Sequence, residues 1–363
     1  MSSLRSADSP EPTPKTTSLR QGFGRQESRR GVLKFRPLAK LISGKPALID
    51  LRSFALPCAH PPIKNETSPS TSPDAQTSPP MKTALLLFSC LLACFSAHAQ
   101  TDKIALWPGL APGTEGRKNT EVVDSGGNIS QVFQPELTCF PAPNQSAPAP
   151  AILVCPGGGY RNVVMQKEGV RVAQWFQKRG FTVFVLKYRL APSEALQDAR
   201  RAMRVIRGHA AQHRIDPAKI SAVGFSAGGH LCARLAVAHA VSDVADEIDK
   251  ISARPDFCAP IYGVLERTNP LNKSIAIKDA LTSKTPPMFL AHAVDDDKVP
   301  VEQSLNLFVA LKAKGIPAEL HLYEKCGHGF ALDPDRGHAT SWGEAFILWL
   351  KAHGVETKPA EKS

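Results

Sequence analysis

The sequence predicts an α/β fold: a mostly parallel central sheet with helices on both faces. Two observations carry this. Short, almost wholly apolar runs rich in β-branched and aromatic residues alternate with longer segments of helical periodicity. The runs are mostly apolar throughout rather than at every second position only, the pattern of strands covered on both faces.

In chain order the predicted strands are 151–155, 181–188, 220–225, 257–262, 288–294 and 318–323. The predicted helices between and after them are 170–179, 194–212, 227–240, 301–314 and 341–353. Gly180 and Gly315 stand where two of these helices should stop, because glycine takes the left-handed backbone that ends a helix at no steric cost. Open sheets of this class place their chemistry beyond the carboxyl ends of the strands.

This pattern begins only after residue 100. Residues 1–80 hold 12 of the chain's 31 prolines and little hydrophobic periodicity. Such composition cannot bury enough apolar surface to offset chain ordering. Met81 and Lys82 then lead into the apolar stretch 84–94, and Ala97-His98-Ala99 precedes Gln100. Positive start, apolar middle and small-x-small end form a secretory signal peptide. We therefore expect residues 1–80 to be an extension from a start codon assigned too early, 81–99 to be the signal peptide, and 100–363 to be the single folded α/β domain of a periplasmic or secreted protein. The apolar stretch is short for a membrane-spanning anchor, and the mature chain should carry no stable span. Lipidation at Cys94 is a minor alternative.

The net charge of +11 suggests nucleic acid until it is divided along the chain. Residues 1–80 carry +6 and residues 100–363 only +4, an ordinary balance for a soluble domain, so no nucleic-acid partner is expected. Five cysteines remain after residue 100, an odd number in apolar contexts, which reads as buried small hydrophobes.

The strongest chemical signal is Gly224-Phe225-Ser226-Ala227-Gly228. The pattern G-x-S-x-G is weak alone, but here it follows a predicted strand and opens a predicted helix, as a sharp nucleophile turn requires. A serine hydroxyl needs a base. His328, between Gly327 and Gly329 just after the last predicted strand, is the candidate; His338 is the runner-up. Activity should then fall at acid pH as this base is protonated. The base needs an acid to orient it. Asp295, Asp296 and Asp297 follow the strand 288–294, between serine and histidine in chain order. Spacing alone leaves the choice among the three open. Gly157-Gly158-Gly159 follows the first predicted strand, and the N–H groups of Gly158 and Gly159, with that of Ala227 after the serine, are candidate oxyanion donors. Tyr160 sits at the expected mouth as a candidate substrate contact. No metal site and no cofactor are expected: H-E-x-x-H, paired C-x-x-C and Walker sequences are absent, and His292 with the three aspartates suits an acid loop better than a metal site.

The motifs Cys155-Pro156-Gly157-Gly158-Gly159-Tyr160, Gly224-Phe225-Ser226-Ala227-Gly228-Gly229-His230 and Lys325-Cys326-Gly327-His328-Gly329-Phe330 resemble bacterial α/β-hydrolases of the acetylxylan esterase-like and carboxylesterase family. Leu106-Trp107-Pro108-Gly109 and Pro286-Pro287-Met288-Phe289-Leu290 strengthen the resemblance, which covers roughly residues 104–353. It implies an α/β-hydrolase fold. Through the family loop Asp-x-x-Val-Pro, matched here by Val299-Pro300, it implies Asp296 as the acid. It also implies a secreted serine esterase acting through an acyl-enzyme on acetylated plant polysaccharide or oligosaccharide. Lipase-like relatives have a histidine before the glycines, where this chain has Cys155-Pro156. Two alternatives remain. One is a prolyl-oligopeptidase-like peptidase, for which residues 100–363 leave no room for a propeller domain. The other is a non-catalytic glycan-binding protein on a hydrolase scaffold, which the intact serine, acid and histidine set argues against.

Overall fold

The computed structural model describes residues 102–117, 120–143, 147–240, 246–266 and 276–358. All belong to the unit spanning 79–363. The expected extension, the signal peptide, the start at Met81 and Cys94 lie outside the described residues.

Eight strands form one sheet. They are β1 (Asp102–Ala105), β4 (Glu136–Phe140), β5 (Ala149–Cys155), β6 (Thr182–Lys187), β7 (Ile215–Phe225), β8 (Phe257–Ile261), β9 (Met288–Ala293) and β10 (Ala318–Tyr323). Their order across the sheet is β1-β4-β6-β5-β7-β8-β9-β10. From β6 to β10 every pairing is parallel. β1 and β4 add an antiparallel edge. A separate small hairpin pairs β2 (Val122–Val123) with β3 (Ile129–Ser130). Its turn is held by Asp124, whose carboxylate accepts from the N–H groups of Gly126 and Asn128.

The helices are α1 (Arg171–Gln177), α2 (Pro192–Gly208), α3 (Ala227–Val237), α4 (Glu302–Ala313) and α5 (Trp342–Ala352). A π-helical turn, Met165–Val170, runs directly into α1. β5, β6 and β9 are buried at every position, which is why their sequences read as mostly apolar runs. Gly180 and Gly315 adopt φ of +91° and +66° just past α1 and α4, as their role as helix stops requires. Trp342 is fully buried, its ring packed against Phe176 and Phe225. Asp198 on α2 takes Nη2 of the buried Arg189 at 2.7 Å and its backbone N–H at 3.0 Å.

The sequence reading differs from the structure at β1, β4, the hairpin and the start of β7. β1 is four residues long and mostly exposed, and β4 alternates half-buried with buried positions. Neither has the continuous apolar signature of the central strands. β7 begins five residues before the predicted 220. That early part pairs Ile215 with Ala149, across a register shift at Pro150, which has no N–H to give a ladder.

Candidate active site

Five loops at the carboxyl ends of parallel strands carry the candidate residues. β5 leads to Gly157–Gly159, β7 to Ser226, β8 to Tyr262, β9 to Asp296 and β10 to His328.

The turn at Ser226 is sharp. Its φ of +51° lies in a region that side chains other than glycine rarely occupy, at a cost of about 1–3 kcal/mol. The backbone around it is tied down on both sides. Its N–H donates to the carbonyl of Ile261 at 3.1 Å, and its carbonyl accepts from His230 at 3.0 Å. The glycines of the motif are there for contact. A Cβ on Gly228 would stand 2.0 Å from the carbonyl oxygen of Cys155, and one on Gly224 would stand 2.1 Å from that of Gly228. Only bare backbone lets α3 start this close to the ends of β5 and β7.

Ser226 Oγ lies 2.9 Å from Nε2 of His328. Nδ1 of the same ring lies 2.7 Å from Oδ2 of Asp296. The imidazole is one-fifth exposed, while the aspartate side chain is fully buried. Burial pushes the Asp296 carboxyl up, but hydrogen bonds from His292, His328 and the N–H groups of Val299 and Lys298 outweigh it and hold the group well below the usual carboxylate range. An ionised carboxylate, an imidazole and a hydroxyl in one line can move a proton off the hydroxyl and stabilise the imidazolium that results.

The three adjacent aspartates do different work. Asp295 Oδ1 accepts the N–H groups of Cys326 at 2.9 Å and Gly327 at 2.8 Å, tying its loop to the one that carries His328. Asp297 is exposed and pairs with Lys298 at 2.8 Å. His338, the runner-up base, packs its ring beside Tyr323. His292 is fully buried beneath Asp296. Its Nδ1 meets Ser304 Oγ at 2.7 Å and its Nε2 meets the Val299 carbonyl at 3.0 Å, so both ring nitrogens are engaged. Among the described residues no group of three or more His, Cys, Asp or Glu side chains is arranged to hold a metal ion.

The glycine loop sits against the serine. A Cβ on Gly157 would stand 3.1 Å from that of Ser226. Gly158 and Gly159 have φ of +123° and +65°, and a Cβ on Gly158 would strike the backbone oxygen of Asn162 at 2.1 Å. The Gly157 N–H is taken by Glu168 Oε2 at 2.7 Å. Tyr188, buried below the loop, donates its hydroxyl to the Pro156 carbonyl at 2.6 Å. Tyr160 is half-buried; its hydroxyl lies 2.9 Å from Nδ1 of His230.

Glu168, Tyr262 and His292 were not among the site residues expected from sequence. Glu168 lies in a polar stretch ahead of a helix, and Tyr262 reads as the last residue of an apolar strand. His292 stands out in the sequence only by its nearness to the aspartates. Nothing in their local patterns marks them; what brings them in is burial against the loops above.

The sheet order, the parallel strand ends and the strained serine turn together define an α/β-hydrolase. Residues 137–261 match the BD-FAE family and residues 264–352 the prolyl oligopeptidase family. The acetyl ester-xyloside bifunctional hydrolase of Caldicellulosiruptor lactoaceticus is 31% identical and superposes with a TM-score of 0.60, over 70% of this chain and 97% of that one. Endo-1,4-beta-xylanase B of Butyrivibrio fibrisolvens is 33% identical over 228 residues, 56% of this chain and 36% of that protein. The acetylxylan esterase of Xylanibacter ruminicola is 29% identical over 251 residues, 62% of this chain and 47% of that protein. The matches thus span less than half the length of these two curated relatives. The chain belongs to the acetylxylan esterase-like carboxylesterase family of α/β-hydrolases.

Proposed function

We propose that this protein is a secreted serine esterase that removes acetyl groups from plant polysaccharide or oligosaccharide such as acetylated xylan. Ser226 Oγ attacks the ester carbonyl while His328 Nε2 takes its proton. Asp296 holds the ring by Nδ1–H and stabilises the imidazolium. The N–H groups of Gly158, Gly159 and Ala227 receive the oxyanion, one such donor being worth about 3–4 kcal/mol of barrier. His328 returns the proton to the leaving sugar hydroxyl. Water, deprotonated by His328, then attacks the acetyl-serine and releases acetate. Tyr160 lines the mouth over which the sugar lies. The chemistry uses no cofactor or metal.

The observation that carries this reading is the unbroken line from Ser226 through His328 to Asp296, with contacts of 2.9 and 2.7 Å. The substrate class rests on likeness to proteins named for acetyl ester, xyloside and xylan chemistry. Acetate release from acetylated xylan, with the Ser226→Ala variant as control, tests both parts. Wild-type release by the variant overturns the mechanism. Release only from other acetylated sugars overturns the substrate.

A second reading, a peptidase of the prolyl-oligopeptidase type, draws on the match over residues 264–352. It predicts cleavage of proline-containing amides in preference to acetyl esters. Export is proposed from residues 81–99. No helix among the described residues is long and apolar enough to cross a membrane. N-terminal sequencing of the exported protein should begin near Gln100.

A further inference from the structure

A buried acid and a phenol join two loops of the site. Glu168, 5% exposed on the π-helical turn before α1, accepts the Gly157 N–H on Oε2 at 2.7 Å. Its Oε1 accepts the Tyr262 hydroxyl at 3.1 Å. The same phenol oxygen accepts the N–H of Ala331 at 3.1 Å, three residues beyond His328. The chain of contacts therefore runs from the glycine loop, through two side chains, to the histidine loop. Tyr262 also packs its ring edge-on to His328, with centroids 5.1 Å apart. Both ends of the Tyr262–Ala331 bond are strained: φ is +37° at Tyr262 and +42° at Ala331. Strain of this kind persists only where the surroundings over-determine it, and it gathers at working sites. Glu168 leaves no slack at the other end, since a Cβ on Gly157 would stand 2.6 Å from its Oε2. Short π-helical turns are also frequent at such places. Burial raises the Glu168 carboxyl from its ordinary value, against the pull of the Gly157 N–H and the Tyr262 hydroxyl.

We propose that Glu168 and Tyr262 are positioning residues that hold the glycine loop and the His328 loop in register with Ser226. The proposal rests on Ser226 as nucleophile. The two side chains take no part in bond making. They fix where the oxyanion donors and the base stand before substrate arrives.

The test uses the full chain with Glu168→Gln and Tyr262→Phe. The first keeps the shape but turns one acceptor into a donor; the second keeps the ring and loses the hydroxyl. Both should lower kcat on p-nitrophenyl acetate by about 10- to 100-fold, counted per serine titrated with an organophosphate, with KM little changed. Amide hydrogen exchange should quicken at residues 157–159 in Glu168→Gln and at 328–331 in Tyr262→Phe. A merely structural role would lower Tm and leave kcat per titrated serine intact. Wild-type kcat in both folded variants, or wild-type exchange in both segments, overturns the proposal. If Glu168→Gln does not fold, Tyr262→Phe decides. If the wild-type enzyme releases no acyl group, the esterase reading fails and the exchange measurement alone judges the brace.

Discussion

His292 Nε2 stands 3.2 Å from Asp296 Oδ2, the oxygen that also faces His328 at 2.7 Å. Two imidazoles thus converge on one buried carboxylate oxygen. Ser304 Oγ fills the far side of His292, so the ring cannot turn away without losing that contact. Replacing it with His292→Leu should lower kcat about tenfold by letting Asp296 drift, with little change in KM. Steady-state kinetics on an acetyl ester checks this; an unchanged kcat in a folded variant would show that Lys298 and Val299 alone hold the acid.

The three aspartates should separate cleanly. Asp296→Asn presents the wrong group to His328 and should cost on the order of 10⁴ in kcat. Asp295→Asn still has an acceptor for the Cys326 and Gly327 amides, and should cost far less. Asp297→Asn, at an exposed pair with Lys298, should behave as wild type. Any other ranking would place the acid elsewhere in the loop.

Asp296 also predicts a pH dependence of stability. Its folded carboxyl is held below the ordinary value, so the ionised group contributes stability that is fully present above about pH 4 and is lost as pH falls through the lowered value. The Tm gap between wild type and Asp296→Asn should therefore be flat from neutral pH down to about pH 5 and narrow below about pH 4. A gap that instead widens in acid would reverse the sign of the shift.

Glycine substitutions should discriminate sharply by place. Gly157→Ala puts a methyl 2.7 Å from the Phe225 carbonyl and 2.6 Å from Glu168 Oε2, and should abolish most activity and lower Tm. Gly109→Ala, with nothing within 4 Å of the new methyl, should be silent in both assays.

The described cysteines are free thiols, four of them buried and Cys326 partly so, and burial makes Cys139 and Cys326 poor nucleophiles. It pushes Cys139 up to about 12, and, with the Asp295 charge, Cys326 up to about 11. Near pH 7 the Cys326 thiolate is then about one part in 10⁴. Iodoacetamide should label the native protein slowly at Cys326, scarcely at the other four described cysteines, and leave ester hydrolysis intact. Mass spectrometry of peptides together with an activity assay reads both.

The central strands were legible because burial on both faces writes itself into consecutive positions, as in Phe184, Val185 and Leu186 of β6. The residues of the serine turn and the histidine loop were legible because they need glycine neighbours at fixed offsets. The edge was not: β1 and β4 face solvent in part, and each is identified by a partner far along the chain, β1 by β4 and β4 by β6. The choice among three aspartates was not physical at all from sequence, since only folding distinguishes the one beneath His328 from the one that pins Cys326 and Gly327. Glu168 and Tyr262 stayed hidden for a related reason. Each is an ordinary residue locally, and its meaning lies in what it touches across the site.

The backbone at Ser226 has a consequence for how this hydroxyl could be exchanged over evolutionary time. At φ of +51° a β-branched side chain crowds its own main chain, so threonine, one nucleotide away for many serine codons, is closed to this position. Alanine and cysteine fit the same bend. Descendants of this protein that lose or change their chemistry should therefore drift toward an inert scaffold or a thiol, and not toward a secondary alcohol.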